Sequence, residues 1–290
     1  MTDFFQYVIS GLTVGSVYAL VALGFTLIYS ASHVINFAQG EFVMVGGLVS
    51  VFVMSSGLPF PVAAAVALVA AVLIGFALHR FAIEPIKTAS PSILIMMTIG
   101  ASIAIRGLAQ LLFGKQFHTM PALFGDLKVT VMGVVIQPQS LCIMITVATV
   151  VLALFWFLRS TVAGKAVRAT ASNITAAQLV GIDSRRTLSL SFMISAAIGA
   201  IAGILITPIT LISYDAGGLL AVKGFAAAIL GGIGFPPGAV FGGLLLGLIE
   251  ALSAGYVSSA YKDAFAFIAM LLVLLIAPNG IFFKTKVGRV

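Results

Sequence analysis

Three polar side chains, Asn36, Gln39 and Glu41, interrupt an apolar run at VINFAQGEFVMVGG (34–47). Two more charged residues stand alone in apolar surroundings: Arg106 in TIGASIAIRGLAQLLFG (98–114) and Glu250 in GLLLGLIEALSAG (243–255). A charge at membrane depth costs on the order of 3 kcal/mol on insertion scales, so it normally faces a cavity, a partner or water. Two readings follow. In the first, Asn36, Gln39, Glu41, Arg106 and Glu250 line a substrate path, and Gly40 lets backbone approach a neighbour or ligand. In the second, Asn36 caps a helix that carries Glu41 in its first turn. Arg106 then makes a structural ion pair or snorkels to the surface. Either Glu41 or Glu250 could be its partner.

Other chemistries find no residues to carry them. His33, His79 and His118 lack metal spacing, and the single Cys142 lies in an apolar run, so no metal or disulfide framework is expected. No Ser–His–Asp arrangement can be drawn. The phosphate-loop pattern is missing, because Gly114–Lys115 and Gly164–Lys165 lack its remaining positions. The chain is therefore expected to bind no cofactor, and any ATP-driven role must draw its hydrolysis from another polypeptide.

The elements that position these residues follow from composition. Hydrophobic residues make up 61% and charged residues 8%, against about 25% charged in a soluble domain. Lipid must be the solvent for much of the surface. A length of 290 residues accommodates roughly eight or nine spans of about 20 residues and leaves no room for a separate soluble domain. The expected fold is an all-α, polytopic membrane helix bundle of eight to nine transmembrane helices, one transmembrane domain over 1–290. Spans are read near 5–29, 40–56, 60–79, 92–113, 139–158, 187–211, 219–233, 237–255 and 263–280. Around GGIGFPPGA (231–239) a tight turn between two short spans is favoured over one broken helix. An eight-span count would need a re-entrant segment around 31–56. MTDFFQYVIS lacks the positive region and cleavage site of a signal peptide, so the first run is expected to stay as a helix.

The net charge of +7 does not point to nucleic acid, because the charges sit in short loops. Arg80, Lys87, Arg159, Lys165, Arg168, Arg185, Arg186, Lys284, Lys286 and Arg289 fall on one side of a nine-span topology. Only Lys115, Lys128 and Lys262 fall on the other. The positive-inside rule makes the first side cytoplasmic, together with the C-terminus, and puts the N-terminus outside. The outer loop 114–138 contains DLKVTVMGVVI, which suits a small β-hairpin with Gly133 in its turn and a docking surface for an external partner.

On the cytoplasmic side lies RSTVAGKAVRATASNITAAQLVGIDSRR (159–186), which holds five of the 15 basic residues. A short helix is expected from about Ala163, capped by Ser160 or Thr161 and stopped by Gly181. Lys165, Arg168 and Ser172 share one face, and Val167, Ala171, Ile174 and Gln178 form a neighbouring stripe. Lipid headgroups would explain the basic residues but not the small-residue surface. A slim helix that fits a groove in another protein explains both.

GLTVGSVYALVALGFTLIY, VINFAQGEF, AGKAVRATASNITAAQLVGI, GFAAAILGGIG and YKDAFAFIAMLLVLLIAPNGIF, in this order, resemble segments of one family over nearly the whole chain. That family is the inner-membrane permease subunit of ABC importers for branched-chain amino acids, the first of the two permease types in those systems. The resemblance implies a bacterial inner-membrane location and ATP-driven import. It also implies an external substrate-binding protein, a second permease subunit and two ATPase subunits that bind the ATP. The loop at about 160–184 then corresponds to the coupling helix, whose ATPase contacts would fall on Lys165, Arg168, Ala171, Ser172, Ile174 and Gln178. The loop departs from the Glu-Ala-Ala pattern of other importer classes, so position and role carry over but that motif's contacts do not. Related permeases carry urea or short amides, which leaves that cargo open. A secondary transporter or channel working alone is the rival from another class, with Glu41, Arg106 and Glu250 serving ion coupling.

Overall fold

Backbone groups in lipid must bond within their own segment, and the apolar runs do so as helices. In the computed structural model, which describes residues 2–86, 90–121, 129–131 and 134–282, each of the nine runs is a helix. They are α1 (Thr2–Ser32), α2 (Gln39–Ser55), α3 (Phe60–Ala77), α4 (Pro91–Phe113), α5 (Pro138–Ser160), α8 (Ser184–Ile206), α9 (Ala216–Gly231), α10 (Pro236–Tyr256) and α11 (Lys262–Ile276). Among the described residues seven helical segments are long and apolar enough to cross a membrane, α3 and α11 counted with their adjoining helical turns (Phe60–Ile86 and Ser259–Ile276); α2 and α9 are shorter apolar helices. Proline in the first turn starts α3, α4, α5 and α10, where its missing N–H costs nothing. A tight turn at 232–235 separates α9 from α10. Helix α8 stops five residues before the expected 211, because Pro208 follows its last turn.

Helix α1 forms the spine of the bundle. Its Gly11 and Gly15 meet Gly243 and Gly247 of the antiparallel α10, backbone against backbone, with no space for a Cβ. Small residues four apart allow this approach.

The two ends of the bundle are distinguishable. At one end the outer loop forms the expected hairpin, β1 (Val129–Val131) antiparallel to β2 (Val134–Ile136). Gln6 donates from Nε2 to the Val135 carbonyl (3.0 Å) and accepts from its N–H (3.1 Å), which puts the N-terminus beside the hairpin. At the other end, a cleft of about 850 Å³ is lined by Tyr29, His33, Arg168, Gly234 and Pro278, among others. The basic loop, the α9–α10 turn and the end of α11 therefore share an end with the C-terminus of α1. Lys87, Lys128, Gly133, the middle of the outer loop and the tail from 283 lie outside the described residues.

The basic loop corrects one expectation. It is not one helix but two, α6 (Val162–Ser172) and α7 (Ile174–Leu179). Thr161 caps α6 by accepting from the Gly164 N–H (2.9 Å). Asn173 is extended (φ −160°, ψ 109°) and caps α7 by accepting from the Ala176 N–H (2.9 Å). A side-chain cap that competes with the helical ladder is what breaks the expected helix. Ile174 and Gln178 thus stand on a different helix from Lys165, Arg168, Ala171 and Ser172.

Candidate functional site

Helix α2 does not begin at the end of the bundle. The chain leaves α1 at Ser32 and turns back, and Gln39 lies against Gly24, well inside α1. Asn36 and Gln39 are fully buried here. Asn36 accepts the Ala38 N–H at Oδ1 (3.1 Å), while its Nδ2 has no partner among the described residues. It therefore forms the turn before α2 rather than the helix cap expected of it, because the cap position belongs to Ala38. Gln39 donates to the Ser195 carbonyl (3.2 Å), and the Ser195 hydroxyl lies 2.6 Å from Gln39 Oε1 and 2.9 Å from the Gly24 carbonyl. Gln39 thus ties α2 to α8 and α1.

The structure also decides between the two partners open to Arg106. Arg106 Nη2 pairs with Glu41 Oε1 at 2.7 Å, and the Ser102 hydroxyl donates to the same oxygen at 2.7 Å. Glu41 is 1% exposed, whereas the Arg106 side chain is 34% exposed. Glu41 Oε2 and Arg106 Nε have no partner among the described residues. Glu41 Oε2 lies against Gly217 and Arg106 Nη2 against Gly218, at the start of α9; a side chain at either glycine would collide with them. Gly40, second in α2, abuts Gly217, second in α9.

The two short helices therefore start at one place and run to opposite ends. Helix α2 reaches Phe52, which stacks on Phe113 and His118 near the hairpin end. Helix α9 reaches Gly231, which packs on Gly238 at the cleft end. This convergence was not legible in the sequence, although GEF at 40–42 and the glycine pair at 217–218 mark it.

Glu250 lies elsewhere. It accepts from Lys223 (Nζ to Oε1, 2.8 Å) and from the Tyr18 hydroxyl (2.9 Å). Lys223 also donates to Tyr18 Oη (3.0 Å) and pairs with Asp263 (2.7 Å), and Lys262 stands 3.6 Å from Glu250. This cluster joins α1, α9, α10 and α11. Its two lysines face two carboxylates, with Lys223 and Glu250 buried and Lys262 and Asp263 partly exposed, so it reads as a structural clamp, and Glu250 is not brought together with the other path candidates. Lys223, like Tyr18 and Asp263, is not among the site candidates read from the sequence. Its signal was a lone lysine in an apolar run.

On the basic loop, Lys165, Arg168, Ser172, Ile174 and Gln178 are exposed, while Ala171 is half-buried and lines the cleft. Gly164, Val167 and Thr170 are buried and seat α6 on the bundle. Leu179 and Val180, not singled out from the sequence, are 84% and 76% exposed and make an apolar knob at the end of α7. Gln178 Nε2 donates to Ser184 Oγ (2.7 Å). Next to Ser184, Arg185 pairs with the buried Glu84, which also accepts from Arg80 at 2.7 Å. Glu84 lies in the short helical turn after α3, so this cluster ties the base of α7 to the α3 end.

The family model described as "Branched-chain amino acid transport system / permease component" matches residues 7–274. The chain is 36% identical over 301 aligned positions to the high-affinity branched-chain amino acid transport system permease protein LivH of Escherichia coli K12, spanning 99% of this chain and 98% of that one. It is 34% identical over 303 positions to the corresponding protein BraD of Pseudomonas aeruginosa, with the same coverage. The similarity to a solved structure, PsaBC from Streptococcus pneumoniae in complex with Fab, covers 96% of this chain and 91% of that one at 16% identity and a TM-score of 0.48.

Proposed function

The chain belongs to the permease-component family of branched-chain amino acid transport systems, and from that premise we propose its cargo, partners and mode of coupling. It is a multi-pass membrane permease of an ATP-driven importer, not an enzyme, and hydrolysis lies in separate subunits. The cargo is a branched-chain amino acid. The observation that carries this is the similarity over 99% of the chain to permeases named for that cargo.

The assembly holds a second permease subunit, two ATPase subunits and an external binding protein, in the inner membrane of a bacterium. The cleft end, with the basic loop, faces the cytoplasm, and the described C-terminal end of α11 lies on that side. Helices α6 and α7 meet an ATPase subunit. Lys165, Arg168, Ser172, Ile174 and Gln178 are candidates for that contact, joined by Leu179 and Val180. Ala171 acts from beneath, by seating α6. The hairpin end faces the binding protein. Two ATPases closing on ATP shift the permease only if they bind one of its states better than the other. The Gln178–Ser184 and Arg185–Glu84 links carry that shift from α7 to α3.

Uptake by the reconstituted complex with its cognate binding protein tests the cargo. Labelled leucine, isoleucine or valine is expected to accumulate, and unlabelled urea or a short amide to compete poorly. Accumulation of urea or amides in preference to leucine would replace this cargo with the other.

A further inference from the structure

The Glu41–Arg106 pair sits where two helix N-termini meet, and its hydrogen bonding is incomplete. Helices α2 and α9 each bring the positive end of a helix dipole to the junction of Gly40 and Gly217. Broken or short helices that start inside a membrane protein often turn their ends to a cargo. Here a second observation points the same way. Glu41 is 1% exposed, yet among the described residues only its Oε1 is engaged, and Arg106 Nε likewise has no partner there. One acceptor and one donor, of opposite charge, are left over at one spot.

The surface around them is apolar. Ile103 lies one turn before Arg106 on α4, and Val222 one turn after Gly218 on α9; both are exposed, as is Leu219. Arg106, one-third exposed, forms the edge between this apolar surface and the buried carboxylate. A molecule that complements the whole arrangement carries a cation, an anion and an apolar side chain on adjacent atoms.

We propose that this junction is a transit site for a zwitterionic α-amino acid with an apolar side chain. The cargo ammonium donates to Glu41 Oε2. Its carboxylate accepts from the Arg106 guanidinium beside the α9 N-terminus, and its side chain passes over Ile103, Leu219 and Val222. Gly217 and Gly218, without Cβ atoms, leave room for the Glu41 carboxylate and the Arg106 guanidinium at the α9 N-terminus. In the arrangement described here, Arg106 and Glu41 satisfy each other in part. As the site opens, cargo exchanges for that contact, so neither charge is stranded in the bundle. The inference deepens the proposed function and rests on it.

The test is leucine imported per ATP hydrolysed by the complete complex in proteoliposomes, for E41Q, R106Q and the double variant E41Q/R106Q. The expected result is at least a tenfold fall in that ratio for all three. A structural pair behaves differently: the double variant strands no charge, so a return to within twofold of the unaltered complex would overturn the proposal. If the neutral variants fail to co-purify with the ATPases, E41D and R106K are measured instead; a lowered ratio supports the site and an unchanged ratio overturns it. Failure of the unaltered complex to import leucine would sink the cargo assignment instead, whereas leucine import with wild-type ratios in E41Q and R106Q would sink this site alone.

Discussion

The side chains that were conspicuous in the sequence divide into two kinds once placed. Glu41 and Arg106 pair incompletely at an internal helix junction, whereas Glu250 is held by Tyr18 and by Lys223, which also pairs with Asp263. The isolated charges themselves were legible, because an ionisable group stands out in an apolar run. Their partners were not: Arg106 and Glu41 are 65 residues apart and Lys223 and Glu250 are 27 apart, and only the register of α4 on α2 and of α9 on α10 sets those meetings. The clamp makes its own prediction. Removing one member of a buried pair typically costs about 3–5 kcal/mol, while removing both costs much less. K223M is expected to lower the thermal stability of the detergent-solubilised complex markedly, and K223M/E250L to recover much of the loss. Equal stability of K223M and the unaltered chain would show that the clamp is dispensable.

Among the elements, the long helices followed directly from apolar runs and their proline starts. The division of the basic loop did not, although Asn173 before ITAAQL carried the signal of a helix cap. Reading the loop as one helix gave Ala171 and Ile174 a common stripe; in the structure they lie on separate helices and only Ile174 is exposed. The exposed knob lies instead at Leu179 and Val180. Burying such side chains fully is worth roughly 1.5–3 kcal/mol each, so L179E/V180E is expected to detach the ATPase subunits during purification. Their retention at full stoichiometry would move the docking surface away from α7. Glu84 tests the link behind it. E84Q is expected to keep the ATPases bound while leucine import per ATP falls several-fold, and R185Q/E84Q to be no worse than E84Q alone. A normal ratio in E84Q would remove this cluster from the coupling.

For the whole molecule, the charge count along the sequence sorted the described loops into the same two groups that the fold places at opposite ends. The sequence had no means to show that α2 and α9 start inside the bundle, because a short apolar helix looks the same whether it begins at a headgroup or at a neighbour's backbone. Sidedness has a direct check. Thr175→Cys is expected to react with a membrane-impermeant maleimide only after the cytoplasmic face is opened, and Gln6→Cys from the outside of intact cells. The reverse pattern would invert the topology and take the docking helices away from any cytoplasmic ATPase.

In the proposed function, a permease without a motor of its own is driven through α6 and α7 by separate ATPases. This coupling is tested most directly by labelled-leucine accumulation in proteoliposomes that contain the permease pair and binding protein, with and without the two ATPase subunits and ATP. Accumulation against a gradient is expected only when both ATPases and ATP are present. Equal accumulation by the permeases alone would contradict the account and identify a transporter powered by another source.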